Sequence, residues 1–210
     1  MNHREIPTLV VASRNRKKVR ELAALLADLE LELVSAADFP AAPEVEETGQ
    51  TFAENAVLKA ATVAAATGQW TLADDSGLAV DALDGAPGVY SARYAGPQAD
   101  DALNNEKLLV ELRDVPDDRR GARFVCCLAL ADPEGRIRAQ VEGHCRGRLL
   151  HAPRGENGFG YDPLFWIAEY HRTFAELSLV VKSVLSHRAR AFAHVRPALV
   201  RLIDAGELVA

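Results

Sequence analysis

The sequence predicts an α/β fold, because apolar runs with the length of buried strands alternate with amphipathic helical segments. Residues 8–12 form the first strand-like run. A helical stripe of valine, leucine and alanine follows over residues 16–29, and residues 31–35 return to a strand pattern.

The second helix carries the clearest local signal. Thr51 followed by Glu54 forms a capping box, which satisfies two free backbone N–H groups at a helix N-terminus. We expect this helix to continue through an alanine-rich segment to about residue 67, where Gly68 suits its end.

The remaining elements follow from the same patterns. We predict strands over residues 70–73, 78–82, 122–131, 136–149 and 164–167, and helices over residues 101–112 and 186–205. Residues 74–77 are predicted to form a turn between the first two of these strands, and residues 132–135 the turn of a hairpin. The sequence has no internal repeat and no obvious linker, so we predict one domain over residues 1–210, built as two lobes.

Composition narrows the class of partner. The chain has 24 Lys and Arg against 30 Asp and Glu, a formal net charge of −6, which disfavours nucleic-acid binding but leaves a small anionic ligand possible. No stretch approaches the ~18 consecutive apolar residues of a membrane span, and residues 1–7 lack the apolar segment of a secretory signal. Cys126, Cys127 and Cys145 show neither a disulfide framework nor metal-binding spacing, so we expect a reduced, cytoplasmic protein.

Four cations mark the junction of the first strand and the first helix. They belong to the run Ser13, Arg14, Asn15, Arg16, Lys17 and Lys18. Positive charge at a helix N-terminus is disfavoured by ~0.3–1 kcal/mol per exposed group, so the run is unusual there. It is either a solvated basic surface or a phosphate site, in which the cations and free helix N–H groups converge on an anion. The glycines of a P-loop are missing, which excludes that motif.

Acidic residues flank the second helix. Glu44, Glu46 and Glu47 precede it, and Asp74 and Asp75 follow it. Carboxylates that face each other across a cleft suit Mg²⁺, which prefers oxygen ligands, although two solvated turns would give the same pattern.

One face of the second helix carries Asn55 and Lys59, at i, i+4 spacing. Lys59 either lies on the solvated side of this helix or points toward the acidic residues.

A third group combines an aromatic loop with cations. Phe159 lies between Gly158 and Gly160, and a ring held in such a loop can stack on a nucleobase whatever the base identity. Hydrogen bonds from Asp162, His187 and Arg188 could then supply base identity. Taken singly, Phe159 is more typical of a core and Arg188 of a surface ion pair. Together the three groups match the phosphates, the metal and the base of one nucleotide, which indicates a nucleotide-hydrolysing enzyme.

Six segments, taken in order, carry a family resemblance. They lie at residues 11–18, 46–59, 73–78, 85–94, 159–163 and 186–188. Together they span nearly the whole chain, and the set resembles the inosine triphosphate pyrophosphatase family, also described as dITP/XTP or noncanonical purine NTP pyrophosphatases. The resemblance implies a two-lobed α/β fold with a long central mixed β-sheet flanked by helices and a nucleotide cleft between the lobes. It also implies a homodimer, Mg²⁺ as cofactor, and cleavage of ITP, dITP or XTP to the monophosphate and pyrophosphate.

The resemblance also implies residue roles. Glu46 and Asp75 would hold the metal, with Glu47 as the alternative to Glu46, and Asp75 would be the catalytic base that takes a proton from the attacking water. The substrate-binding residues would be Ser13, Arg14, Asn15, Arg16, Lys17, Lys18 and Lys59 at the triphosphate, Ser76, and Phe159, Gly160, Tyr161, Asp162, Lys182, His187 and Arg188 at the nucleoside.

The chain departs from the family pattern in two places. Ser13 and Arg14 stand where Thr-Gly is frequent, and residues 179–181 are apolar where the family usually has acidic residues. Two alternative functions follow from the same residues. A Maf-type pyrophosphatase of other base preference is disfavoured by residues 186–188, and a non-hydrolysing nucleotide sensor is disfavoured by the presence of both Glu46 and Asp75.

Overall fold

The computed structural model describes residues 6–98 and 100–208. Within these, the chain forms two compact units built from interleaved segments. The first contains residues 6–75, 127–143 and 190–208, and the second contains residues 76–126 and 144–189 apart from residue 99.

The strands form a mixed sheet. They are β1 (Thr8–Val11), β2 (Glu32–Ser35), β3 (Thr71–Val80), β4 (Gly121–Ala131), β5 (Ile137–Leu149), β6 (Phe165–Ile167) and β7 (Arg172–Thr173), hydrogen-bonded in the order β2-β1-β3-β4-β5-β6-β7. Strand β1 is parallel to both β2 and β3, whereas β6 is antiparallel to both β5 and β7. The predicted α/β fold with a mixed sheet is therefore confirmed.

Five α-helices lie in the described part of the chain: α1 (Arg16–Leu25), α2 (Phe52–Thr67), α3 (Asp101–Glu111), α4 (Leu179–Leu185) and α5 (His187–Asp204). The predicted capping box at the start of α2 is present, and Gly68 ends that helix in the left-handed conformation at φ 65°. Helix α1 ends at Leu25, four residues earlier than predicted, although Leu26 remains buried. None of the described helices is long and apolar enough to cross a membrane.

The predicted turn at residues 74–77 is wrong, because β3 runs through them without interruption. Asp74 and Asp75 are 1% and 6% exposed in the middle of this strand. A carboxylate buried without a partner is strongly unfavourable, which is why an Asp-Asp pair suggested a turn. Both acids have lysine partners here, and these come from elsewhere in the chain, so a local sequence pattern gives no sign of them.

Each unit has its own apolar core. In the first, Ala56, Ala60 and Ala64 of α2 are fully buried, as are Leu9 of β1 and Leu72 of β3. In the second, Phe165 lies 4.5 Å from Phe124 and 5.2 Å from Phe174 between ring centroids. These rings form the centre of a rigid support for the loop at residues 158–163.

Candidate active site

The side chain of Asn15 organises the start of α1. Its Oδ1 accepts hydrogen bonds from the backbone N–H groups of Lys17 (3.0 Å) and Lys18 (3.3 Å), which makes Asn15 the N-cap of the helix. Ser13 Oγ in turn accepts from Asn15 N at 3.2 Å. Two of the N–H groups that we expected to be free for an anion are therefore already bonded.

The four cations of this loop differ in their contacts and in their exposure. Lys18 Nζ lies 2.8 Å from Asp74 Oδ1, so Lys18 reaches an acidic residue of β3. Arg14 donates to the carbonyl oxygen of Ala42 at 3.3 Å, and Arg16 and Lys17 are exposed. The structure thus places Lys18 in the candidate site and directs Arg14 to the backbone of the loop before α2.

Lys59 on α2 is the centre of the first group of site residues. Its ammonium donates to Asp75 Oδ1 and Glu47 Oε1, each at 2.8 Å, and to the carbonyl oxygen of Asp74 at 2.9 Å. These three acceptors match the three donors of an ammonium group. Lys59 is 8% exposed, so it points toward the acids and not toward solvent.

The protonation of this group follows from burial and charge. Burial alone would lower the pKa of Lys59, but the charges of Asp75 and Glu47 outweigh it, and the pKa of Lys59 lies above its usual value. Burial raises the pKa of Asp75; the charge of Lys59 offsets part of this effect and the charge of Glu47 adds to it. Asp75 therefore has a higher proton affinity than an ordinary aspartate, which suits a group that accepts a proton.

The carboxylates of this group fit a hard divalent cation. Asp75 and Glu47 already share one positive charge, the ammonium of Lys59, between their oxygens. The described residues contain no cluster of three or more His, Cys, Asp or Glu side chains placed to hold a metal. Two protein oxygens do suit Mg²⁺, which keeps several waters and binds substrate phosphates. Glu46 is exposed, so Glu47 is the glutamate that the structure brings to Asp75.

The loop that carries Glu47 is held by Asn55, one turn before Lys59 on α2. Gly49 N donates to Asn55 Oδ1 at 2.7 Å, and Asn55 is fully buried. A methyl group at Gly49 would lie 2.6 Å from Asn55 Oδ1, too close for any side chain. The shared helix face predicted for Asn55 and Lys59 thus serves two purposes, since one residue fixes the loop and the other binds its carboxylate.

A second group of predicted residues lies in the other unit, around Phe159. Asp162 Oδ2 accepts from Phe159 N at 3.0 Å and from Lys182 Nζ at 2.6 Å. Lys182 Nζ lies 4.9 Å from the centroid of the Phe159 ring, and the Arg188 guanidinium carbon lies 5.8 Å from it. Arg188 also donates to Ser76 Oγ at 3.1 Å. Ser76, Phe159, Asp162, Lys182 and Arg188 are therefore brought together.

His187 and Tyr161 support this group from the core. The His187 ring stacks on Phe124 at 4.8 Å between centroids and is 5% exposed. Tyr161 is 3% exposed within the apolar core, and its hydroxyl donates to the carbonyl oxygen of Ser91 at 2.8 Å. The side chain of Tyr161 thus anchors the loop, and its backbone is the part that lies next to Phe159 and Asp162.

Comparison with known proteins agrees with this arrangement. The sequence model of the Ham1 family matches residues 9–198. A dITP/XTP pyrophosphatase of Rhodopirellula baltica is 53% identical over 196 residues, which are 93% of this chain and 94% of that protein. A dITP/XTP pyrophosphatase of Geobacter sulfurreducens is 56% identical over 185 residues, which are 88% of this chain and 92% of that protein.

Solved structures show the same relationship. A HAM1 protein from Coxiella burnetii superposes with a TM-score of 0.85 at 42% identity, covering 93% of this chain and 99% of that one. A nucleoside-triphosphatase, or dITP/XTP pyrophosphatase, from Mycobacterium abscessus superposes with a TM-score of 0.74 at 49% identity, covering 90% and 99%. By sequence and by fold, this chain belongs to the Ham1 family.

Proposed function

We propose that this protein hydrolyses noncanonical purine nucleoside triphosphates, namely ITP, dITP and XTP, to the monophosphate and pyrophosphate, and so removes them from the nucleotide pool. The observation that carries the proposal is the buried ion-pair group of Lys59, Asp75 and Glu47, in a chain more than half identical to proteins named dITP/XTP pyrophosphatases. In the first unit, Lys18 supplies a cation that suits phosphate charge, and in the second unit the loop with Phe159 supplies an aromatic ring that suits a nucleobase.

We assign Asp75 as the residue that accepts the proton of the attacking water. Its pKa is raised by burial and by Glu47, so it holds a proton more readily than an exposed aspartate would. Lys59 and Lys18 donate to the acids of β3 at 2.8 Å, and we expect these cations to offset phosphate charge in the transition state.

We infer that Mg²⁺ is the cofactor and that Asp75 and Glu47 would hold it, with Glu46 remaining the alternative predicted from the family. When bound, Mg²⁺ would neutralise phosphate charge and orient the water. Lys59 keeps the two carboxylates close together before any metal binds, because both bond to one ammonium. This arrangement reduces the rearrangement needed when the substrate arrives.

We assign the choice of base to the residues around Phe159. The Phe159 ring with Lys182 and Arg188 near it suits a flat base, but stacking alone does not distinguish bases. Hypoxanthine and xanthine carry an acceptor at position 6, where adenine carries a donor, and Arg188 is a permanent donor. Asp162 is bonded to both Phe159 N and Lys182, so we assign it to holding these groups in place.

A panel of nucleoside triphosphates assayed with and without Mg²⁺ tests the proposal. We expect ITP, dITP and XTP to be cleaved far faster than ATP, with pyrophosphate as the first product and no turnover after chelation of the metal. Orthophosphate plus a nucleoside diphosphate as first products would refute the proposed bond cleavage. Tight nucleotide binding without any product would favour a non-hydrolysing sensor.

Two further properties remain proposals from the family resemblance. We propose that the protein is a homodimer and that it is cytoplasmic. Light scattering during gel filtration would test the first, and fractionation of the source cells would test the second. A monomer at micromolar concentration would count against the dimer.

A further inference from the structure

Two side chains of α3 hold the peptide of Gly160, next to the Phe159 ring. Asp101 Oδ2 accepts a hydrogen bond from Gly160 N at 2.8 Å, and Asn105 Nδ2 donates to Gly160 O at 2.8 Å. Asp101 and Asn105 are one helical turn apart and therefore lie on the same face of α3. Both polar groups of one loop residue are thus bonded to one rigid helix.

The orientation of the Asn105 amide is determined by its partners. The atom that bonds Gly160 O also lies 2.7 Å from the carbonyl oxygen of Asp101. Both partners are carbonyl oxygens, which can only accept, so this atom must be the amide nitrogen. An oxygen in the same place would face two acceptors.

The loop around Phe159 needs such an anchor because its backbone is intrinsically permissive. Gly158 and Gly160 have φ angles of 80° and 62°, in the left-handed region that glycine adopts readily. Residues 158–164 form bends and turns and no regular element. Without fixed contacts, two glycines on either side of an aromatic residue would allow the ring many orientations.

Helix α3 is suited to be the fixed partner. Leu108 and Leu112 are fully buried in the core of this unit, so the helix cannot shift easily. The neighbouring residue Asn104 bonds another loop in the same way, since it donates to Ala92 O at 3.2 Å and accepts from Ala95 N at 2.8 Å. The helix therefore holds two loops through consecutive asparagines.

We propose that Asp101 and Asn105 are positioning residues for recognition of the nucleoside. By fixing the Gly160 peptide, they hold the Phe159 ring in its stacking orientation before the nucleotide binds. They contribute to affinity for the base and sugar and not to affinity for the triphosphate. The inference rests on the proposed function, because it takes the Phe159 loop as the place where the base stacks.

Asp101 and Asn105 can be substituted without removing side chains from the apolar core. Asp101 is exposed and Asn105 is half-buried, and both line a groove of about 740 Å³ beside α3. Substitutions there leave the packed apolar residues untouched. Weaker nucleotide binding in a variant that remains folded therefore reports on the loop.

Asn105→Asp is the decisive variant, because it keeps the shape and replaces the donor by an acceptor. We expect the KM for ITP and the dissociation constant for IMP to rise about five- to thirtyfold, as for loss of two hydrogen bonds, while kcat changes little. The inhibition constant of inorganic tripolyphosphate, which carries no base, should stay at the wild-type value. Asp101→Asn keeps an acceptor for Gly160 N and should bind IMP nearly as wild type does.

Two control variants distinguish the loss of the hydrogen bonds to Gly160 from the effect of a changed charge. Ala102→Asp places a new carboxylate on the same exposed turn, and Glu106→Gln changes a charge along the same groove, so both should leave IMP binding unchanged. If Asn105→Asp does not fold, Asp101→Ala removes the other anchor at an exposed position and should weaken IMP binding in the same direction.

The results that overturn the inference are definite. Unchanged IMP binding in folded Asn105→Asp protein would overturn it, as would equal weakening of IMP and tripolyphosphate. IMP binding is measured by calorimetry and needs no turnover. A wild-type protein that binds IMP but hydrolyses no ITP would therefore refute the proposed hydrolysis while leaving the positioning role to be decided by the variants.

Discussion

Replacing Lys59 by methionine removes the positive charge that Asp75 and Glu47 share while keeping most of the side-chain volume. Three bonds are lost, to Asp75 and Glu47 at 2.8 Å and to the carbonyl oxygen of Asp74 at 2.9 Å. Removing one partner of a buried ion pair typically destabilises a protein by ~3–5 kcal/mol. The Glu47 side chain is 27% exposed, so water can compensate there, and we expect the lower value, ~3 kcal/mol. For a domain of this size that corresponds to a melting temperature lower by ~6–12 °C.

The loss of stability in Lys59→Met should depend on pH in a defined direction. Without Lys59, the folded-state pKa of Asp75 rises further above its unfolded value, because burial and Glu47 are no longer opposed. An acid whose pKa is raised on folding favours the folded state as it becomes protonated. The difference in the free energy of unfolding between Lys59→Met and the wild type should therefore be largest near pH 8 and should shrink as the pH falls toward 5. Mg²⁺ should stabilise the variant, since it can replace the missing positive charge.

Thermal unfolding at pH 8 and pH 5, with and without Mg²⁺, measures these effects. Arg123→Met is the matched control, because the Arg123 side chain is 37% exposed and pairs with the exposed Asp81 at 3.4 Å, so its loss should change the free energy of unfolding by at most ~1 kcal/mol. If Lys59→Met melts within ~2 °C of wild type at pH 8 without metal, or if its loss is equal at both pH values, the assigned charge balance is wrong.

Three further predictions concern turnover. Asp75→Asn should lower kcat for ITP by at least ~10²-fold, as for removal of a positioned base. Near-normal turnover in that variant would make Asp75 a structural residue only. Glu47→Gln should raise the Mg²⁺ concentration needed for half-maximal activity, whereas Glu46→Gln should not; the reverse result would return the metal to Glu46. Arg188→Ala should narrow the ratio of ITP to ATP turnover by slowing ITP, with Mg²⁺ dependence unchanged, and an unaltered ratio would exclude Arg188 from base choice.

The elements predicted well are those specified by residues close in sequence. The capping box of Thr51 and Glu54 and the stop at Gly68 fixed α2, because each depends on bonds within a few residues. The hairpin of β4 and β5 followed from the Asp-Pro-Glu-Gly turn for the same reason. Helix α4 was not predicted. Its apolar, β-branched start at Leu179 resembles a strand, and its N-cap is a single serine, Ser178.

Asp74 and Asp75 lie in a different kind of element from the turn that the sequence predicts. Asp74 and Asp75 belong to a continuous buried strand because Lys18 and Lys59 reach them from distant parts of the sequence. No local pattern reports a partner that is 56 or 16 residues away. The same limit left the choice between Glu46 and Glu47 open, since both fit the spacing and only the fold shows which one bonds to Lys59.

These long-range pairs also explain why such a strand can carry chemistry. Adjacent residues of a strand point to opposite faces, so Asp74 and Asp75 are held by different lysines, Lys18 on one side and Lys59 on the other. Each acid has an ammonium at 2.8 Å, which offsets part of the cost of burying a carboxylate. If Asp75 and Glu47 hold Mg²⁺, the ion would supply the positive charge that these carboxylates otherwise take from Lys59, and the Lys59 ammonium would be able to donate to a phosphate oxygen. In the free protein, the ion pair of Lys59 and Asp75 stabilises the fold. With substrate bound, the same charged groups would help to stabilise the transition state.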